Sequence, residues 1–174
     1  MKILVIGAGV SGLFFASFMD GVNLTVIEKN EFAGRKLLAT GNGRCNFTNL
    51  KQGKEHFKSA NPNFSDYAIK KFDSNGLIDY FNDIGIKTTH LPSGRCYPAT
   101  MSSKTVRDGL FLKASENAKF IFNQEVIGID FDKKLVKTRV ITYGVVNAKA
   151  RQWLMESQIL RLKKNFPKKQ RGQR

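Results

Sequence analysis

Residues 1–28, MKILVIGAGVSGLFFASFMDGVNLTVIE, decide how this chain is read. Behind a single lysine come seventeen uncharged residues, Ile3 to Met19. Such a run suits a secretory leader, a membrane span, or the first strand, turn and helix of an α/β domain. A leader ends on a small-residue cleavage site, and Ser17-Phe18-Met19-Asp20 offers none. A membrane helix needs about 20 apolar residues; this run stops short and carries Gly7, Gly9 and Gly12. Both readings are strained.

The third reading uses every residue. Lys2 to Ile6 is a β-branched-rich segment suited to a buried parallel strand. Gly7-Ala8-Gly9-Val10-Ser11-Gly12 fits G-x-G-x-x-G, and Leu13 to Met19 has helical apolar spacing. In that motif the first glycine permits a tight turn, the second admits a pyrophosphate against the backbone, and the third lets helix pack on strand. The helix start offers unpaired N–H groups and a positive dipole end. Leu24 to Ile27 reads as a second strand ending at Glu28, where an acid can accept hydrogen bonds from ribose hydroxyls. An acid rather than a base there excludes a 2′-phosphate on that ribose, leaving FAD or NAD.

Length and charge bound the rest. A chain of 174 residues with 41% hydrophobic content fits one domain with a real core. Its net charge of +15 suggests an anionic partner, but residues 133–174 hold 13 of the 29 Lys and Arg and only one of the 14 acids, Glu156. The body is near neutral, so nucleic acid is not the expected partner of the body, and no membrane is expected. Cys45 and Cys96 lack metal-site spacing and read as free thiols of a reducing, cytoplasmic compartment. Asn23, Asn46 and Asn63 each fit N-x-[ST], which matters only in a secreted protein.

Gly34 to Asn49, GRKLLATGNGRCNFTN, carries three glycines, three cations and three asparagines. Glycine-rich backbone forms anion-binding nests, and Arg35 and Lys36 can neutralise a pyrophosphate. A basic surface loop is the bland alternative. Together, GAGVSG, IEKN and this segment resemble the NAD(P)/FAD-dependent oxidoreductases that include bile-acid-reductase-like and aminoacetone-oxidase-like flavoproteins. Gly94-Arg95-Cys96-Tyr97-Pro98 resembles a further element of that family. The resemblance covers residues 1–137. It implies a partial α/β Rossmann-like FAD-binding fold, with a core of 1–49 and 118–137 and a mainly helical insertion at 50–117. It also implies FAD as cofactor and, in intact relatives, NAD(P)H as electron donor to the flavin. The glycine loop with Ser11 would hold the pyrophosphate and Glu28 and Lys29 the ribose. Arg35, Lys36, Thr40, Gly41 and Asn46 would lie near the phosphates or flavin. Val126 is the candidate for main-chain contact with adenine, with an ordinary edge strand as the alternative.

Between these motifs, apolar spacing predicts helices over Tyr67 to Ile84 broken near Asn75-Gly76, a loop at Pro92–Pro98, and a capped helix from Ser102-Ser103 to about Asn117. Lys119–Phe122 and Glu125–Phe131 read as strands. His56 and His90 have no identifiable catalytic partner and read as surface or structural. No catalytic acid or base is named, since the resemblance implies that substrate-facing residues lie mostly beyond this part. After Lys137 the family pattern stops, and residues 138–174 end in a cationic run. That tail suits a basic nucleic-acid- or membrane-binding extension, a natural short form, or out-of-frame sequence. The abrupt change of pattern and charge balance favours the last. A parallel sheet lacking its further strands is expected to be weakly stable and to retain FAD weakly. The alternative function is a basic nucleic-acid-binding module on a catalytically silent nucleotide-binding core.

Overall fold

The computed structural model describes residues 2–61, 63–139 and 142–144. Strand β1 (Lys2–Ile6) leads through the glycine turn into helix α1 (Val10–Ser17) and then strand β2 (Asn23–Ile27). β1 and β2 pair in parallel with Val5 opposite Val26. The next strand of the same sheet comes almost a hundred residues later. Strands β3 (Thr48–Asn49), β4 (Thr88–His90) and β5 (Arg95–Pro98) and helices α2 (Asp66–Lys71), α3 (Ser74–Asp83) and α4 (Ser103–Asn117) intervene. β6 (Ala118–Ile121) then joins the far side of β2, in parallel, giving the order β1-β2-β6. β7 (Val126–Asp130), β8 (Leu135–Thr138) and β9 (Thr142–Gly144) form a separate antiparallel sheet.

The core lies where α1 meets α4 over the parallel sheet. Leu13 and Ala16 of α1, Val106, Leu110 and Ala114 of α4, and Leu24 and Val26 of β2 are all almost fully buried. Fully burying a branched side chain stabilises the fold by about 1.5–3 kcal/mol, so this cluster is the main anchor of the domain. The Asn117 side-chain amide donates to the carbonyls of Ala16 and Ser17, both at 3.1 Å, and so satisfies the C-terminal end of α1. An aromatic cluster extends the core outward. Phe14 sits edge-on to Tyr80 and Phe72, and Phe18 stacks on Tyr80 with centroids 4.4 Å apart. The Tyr80 hydroxyl donates to Ser17 Oγ, which tethers α3 to α1.

Several local readings change in three dimensions. β1 is not the buried strand its composition suggested. Among the described residues nothing pairs with its edge away from β2, and Ile6 remains 48% exposed. The helix break falls at Phe72-Asp73 rather than at Asn75-Gly76. Asp73 accepts a hydrogen bond from the Gly76 amide at 2.8 Å and starts α3 as its N-cap, leaving Gly76 inside the helix. Pro92–Pro98 is only partly a loop. Arg95–Pro98 is a central strand paired with β3 on one side and β4 on the other, with Cys96 and Tyr97 buried. Ser102 occupies the N-cap of α4 but caps nothing with its side chain. The cationic run that ends the chain lies outside the described residues.

Candidate dinucleotide-binding site

The carboxyl ends of β1, β2 and β6 converge, which is where open parallel sheets bind ligands. The Gly7 amide donates to the Ile27 carbonyl at 2.7 Å, and the Glu28 amide to the Ile121 carbonyl at 2.9 Å. Gly7 has φ +97°, a conformation that a side chain would oppose. The chain then enters α1 through Gly9, whose φ of −72° and ψ of −177° are extended. No side chain caps α1 and no acid lies in its first turn. Gly9, Val10 and Ser11 are exposed, so the positive end of the helix is open to an anion. Gly12 does a different job. A Cβ there would land on the Gly7 carbonyl oxygen and 3.2 Å from its carbon, so only glycine lets α1 lie this close to the turn.

Glu28 stands at the end of β2 and is 8% exposed. Its Oε2 accepts the Ala8 amide at 2.7 Å, and its Oε1 accepts both the amide and the side-chain nitrogen of Asn30, at 2.9 and 2.6 Å. Three donors on a carboxylate hold it in one orientation beside the glycine turn, and a carboxylate has capacity for about four. One acceptor position on the carboxylate is left for a further donor. Asn30 passes the connection on, because its Oδ1 accepts from Arg35 Nη1 at 3.2 Å. Lys29 is exposed and its charge reaches Glu125. Glu125 sits just before Val126 and pairs with Arg139 at 2.6 Å. A hydrogen bond from Arg139, reinforced by its charge, holds the Glu125 carboxyl below its ordinary range.

The signature segment wraps the other side of the turn. The Gly34 amide donates to the Ala8 carbonyl at 2.8 Å, fixing the start of the segment against the glycine loop. Arg35 and Lys36 follow and are exposed, with Leu37 buried beneath a short 3₁₀ turn over Leu37–Ala39. The Thr40 hydroxyl donates to the Leu37 carbonyl and closes that turn. From there the backbone is left-handed at Gly41 (φ +55°), Asn42 (+56°), Gly43 (+78°) and Cys45 (+58°). A Cβ at Gly41 would lie 2.6 Å from the Asn46 amide nitrogen, so the loop closes on itself only with glycine there. Non-glycine residues held at positive φ cost of order 1–3 kcal/mol each and concentrate at functional sites. Asn46 is exposed on the outer face of this loop, while Cys45 is buried and its thiol is pushed up by that burial.

The structure therefore brings Gly7, Gly9, Ser11, Gly12 and Glu28 together at one turn and joins Gly34-Arg35 to it by hydrogen bonds. Val126 stands somewhat apart. It pairs with Thr138 in the antiparallel sheet, but the preceding Gln124 donates its amide to the Glu28 carbonyl at 2.9 Å. The chain thus passes the end of β2 two residues before Val126. Sequence reasoning missed Ala8 and Asn30, both direct partners of Glu28. A polar residue two positions after the strand-ending acid was the available signal for Asn30. His56 and His90 are exposed, His56 lying 3.4 Å from Glu55. Among the described residues no group of His, Cys, Asp and Glu is placed to hold a metal ion, and no helix is long and apolar enough to cross a membrane.

The chain is similar to known proteins. The model of the HI0933-like protein Rossmann domain matches residues 1–153, sixteen residues past Lys137, where the motif resemblance ended. The chain is 31% identical over 133 residues to the ribosomal RNA dihydrouridine synthase of Escherichia coli K12, covering 75% of this chain and 33% of that protein. It is 32% identical over 109 residues to the 3-dehydro-bile acid delta(4,6)-reductase of Clostridium scindens, covering 60% of this chain and 26% of that protein. The chain thus spans a third or less of the length of these curated relatives. Among solved structures, Thermovibrio ammonificans THI4 superposes with a TM-score of 0.50 at 11% identity, over 74% of this chain and 40% of that one, a likeness of fold. The glycine turn, its acid and the matched length agree, and the chain belongs to the HI0933-like family, whose FAD-binding Rossmann domain it carries.

Proposed function

We propose that this chain binds FAD across the carboxyl ends of β1 and β2 as the cofactor-holding portion of a flavin-dependent oxidoreductase. The observation that carries the reading is the pairing of an uncapped, exposed α1 start with the Glu28 carboxylate fixed on the Ala8 amide. The residues fit an adenine dinucleotide. The side of Gly9 has nothing within 4 Å of a Cβ position, leaving room for a pyrophosphate against the backbone. The open N–H groups of α1 would take the phosphates, with Ser11 beside them and Arg35 and Lys36 balancing the charge. Glu28, held by three donors, would accept one ribose hydroxyl, with Lys29 next to it and Val126 toward adenine. Thr40, Gly41 and Asn46 would line the path to the flavin.

Bound flavin would supply hydride transfer, and the protein supplies its position and electrostatics. We infer NAD(P)H as donor and an organic molecule as acceptor in the intact enzyme. The names of two relatives narrow the acceptor's chemistry. Dihydrouridine is uridine saturated at a ring double bond, and a delta(4,6)-reductase saturates double bonds of its bile acid. A carbon–carbon double bond activated by a carbonyl is the substrate class we infer. Titration of the purified chain with FAD tests the reading. Saturable binding of one FAD per chain, competed by ADP, is expected, and no binding of either ligand overturns it.

A further inference from the structure

Ser103 was read from the sequence only as part of a helix cap. In the structure it is 4% exposed and faces the signature loop instead. Its amide donates to the Gly43 carbonyl at 2.7 Å and its hydroxyl to the Leu38 carbonyl at 2.8 Å. Both acceptors lie about sixty residues earlier in the chain. One turn further along α4, the Arg107 side chain lies against Gly34, where a Cβ would be 2.5 Å from its Cγ, and its guanidinium sits 5.9 Å over the Phe32 ring. Arg107 Nε is also 2.7 Å from Asp108 Oδ1, an ion pair outside hydrogen-bond geometry.

The loop so held is the strained one. Gly41, Asn42, Gly43 and Cys45 all have left-handed φ, and the loop's own main-chain bonds are short-range, Arg44 amide to Gly41 carbonyl and Cys45 amide to Thr40 carbonyl. A conformation of this kind persists only where its surroundings over-determine it. Ser103 fixes one carbonyl ahead of the left-handed run, at Leu38, and one within it, at Gly43, with two donors of one residue. The helix carrying it is anchored by Val106 and Leu110 in the core.

We propose that Ser103 is a positioning residue that clamps the Leu38–Gly43 loop in its cofactor-receiving shape, with Arg107 backing the start of the same segment. Which ligand the loop receives rests on the FAD reading above; the clamp itself does not. Through it, α4 ties the flavin side of the site to the core that α1 shares. The adenosine side, built on Glu28, receives no hydrogen bond from Ser103.

Hydrogen exchange on the ligand-free, full 174-residue chain reads the clamp directly. In Ser103→Ala the Arg44 and Cys45 amides should exchange about three- to tenfold faster, the loss expected for one hydrogen bond. Amides of β2 should be unchanged, and Ser103→Thr should restore the slow rate. FAD affinity should fall by a similar factor while ADP affinity stays as in the wild type. Unchanged loop exchange overturns the clamp, as does equal acceleration throughout the chain, which would mark a merely structural serine. Faster loop exchange with FAD and ADP affinities lowered equally, or not at all, overturns the positioning role. If the wild-type chain binds neither ligand, the FAD reading fails, and the exchange result alone decides the clamp.

Discussion

Replacing Gly9 and Gly12 by alanine, one at a time, should separate binding from folding. At Gly9 a Cβ meets nothing within 4 Å, and φ −72° with ψ −177° is open to alanine. Alanine is a poorer N-cap than glycine, but it restricts the unfolded chain and recovers about 0.4–1 kcal/mol. Gly9→Ala should therefore leave stability within about 0.5 kcal/mol of the wild type. The added methyl projects into the space that a pyrophosphate needs. Loss of one or two charge-assisted hydrogen bonds, about 1.5–3 kcal/mol each, should weaken FAD at least about tenfold. Gly12→Ala has the opposite profile. Helix propensity favours alanine by about 1 kcal/mol. The new Cβ, however, lands on the Gly7 carbonyl, which is backbone pinned by the Gly7 amide's own bond to Ile27. Overpacking costs about 1–3 kcal/mol where side chains can yield, and backbone yields less. We expect a net loss of about 2 kcal/mol or more, lowering the thermal midpoint by about 6 °C for a domain of this size. Thermal unfolding followed by circular dichroism and FAD titration by fluorescence measure the two profiles. A Gly9→Ala protein that binds FAD normally, or a Gly12→Ala protein as stable as the wild type, refutes the reasoning.

Other expectations follow from single groups. Glu28→Gln places an amide NH₂ against at least one of the donors now on the carboxylate, so it should destabilise the ligand-free chain by about 2 kcal/mol and weaken FAD and ADP together; denaturant titration and ligand titration check both. Burial pushes the Tyr80 hydroxyl up to about 12 from 10, despite its bond to Ser17 and with a small upward push from the Glu116 charge. Because the folded value is the higher one, Tyr80's contribution is complete below pH 10, declines above it and is lost beyond about pH 12. Tyr80→Phe should cost about 1 kcal/mol at neutral pH and flatten that alkaline decline, as read from unfolding midpoints across pH. Cys45 and Cys96 are buried with their thiols pushed up, so both should resist alkylation in the native chain and react once it is unfolded. Mass spectrometry after timed labelling tests this, and fast native labelling of Cys45 would contradict the packed loop.

The strand, turn, helix, strand and acid of residues 2–28 were legible because every signal in them is local. Short apolar, β-branched-rich runs mark the strands, three glycines mark the turn, and an acid follows the second strand. The signature loop was legible as a ligand loop from its composition, but its left-handed run at Gly41–Cys45 was not. Two of those residues, Asn42 and Cys45, are not glycine, and the loop they sit in is held at Leu38 and Gly43 by Ser103, far along the chain. The same non-locality hid β5, whose four residues RCYP become a strand only when Thr48-Asn49 and Thr88–His90 arrive on either side. The exposed edge of β1 also followed from what pairs with it rather than from its sequence. Asp73 starting α3 was readable in principle, since an acid before a helical run is an N-cap signal. The glycine at 76 drew attention three residues too far along.

The central claim is that this chain holds an adenine dinucleotide between the glycine turn and Glu28. Equilibrium titration of the purified chain with FAD, monitored by quenching of flavin fluorescence and repeated with ADP as competitor, tests it most directly. The account predicts saturation at one FAD per chain, displacement by ADP, and binding of both weakened at least about tenfold in Gly9→Ala with its fold intact. Absence of saturable binding by the folded wild-type chain, or binding that Gly9→Ala leaves untouched, would contradict it.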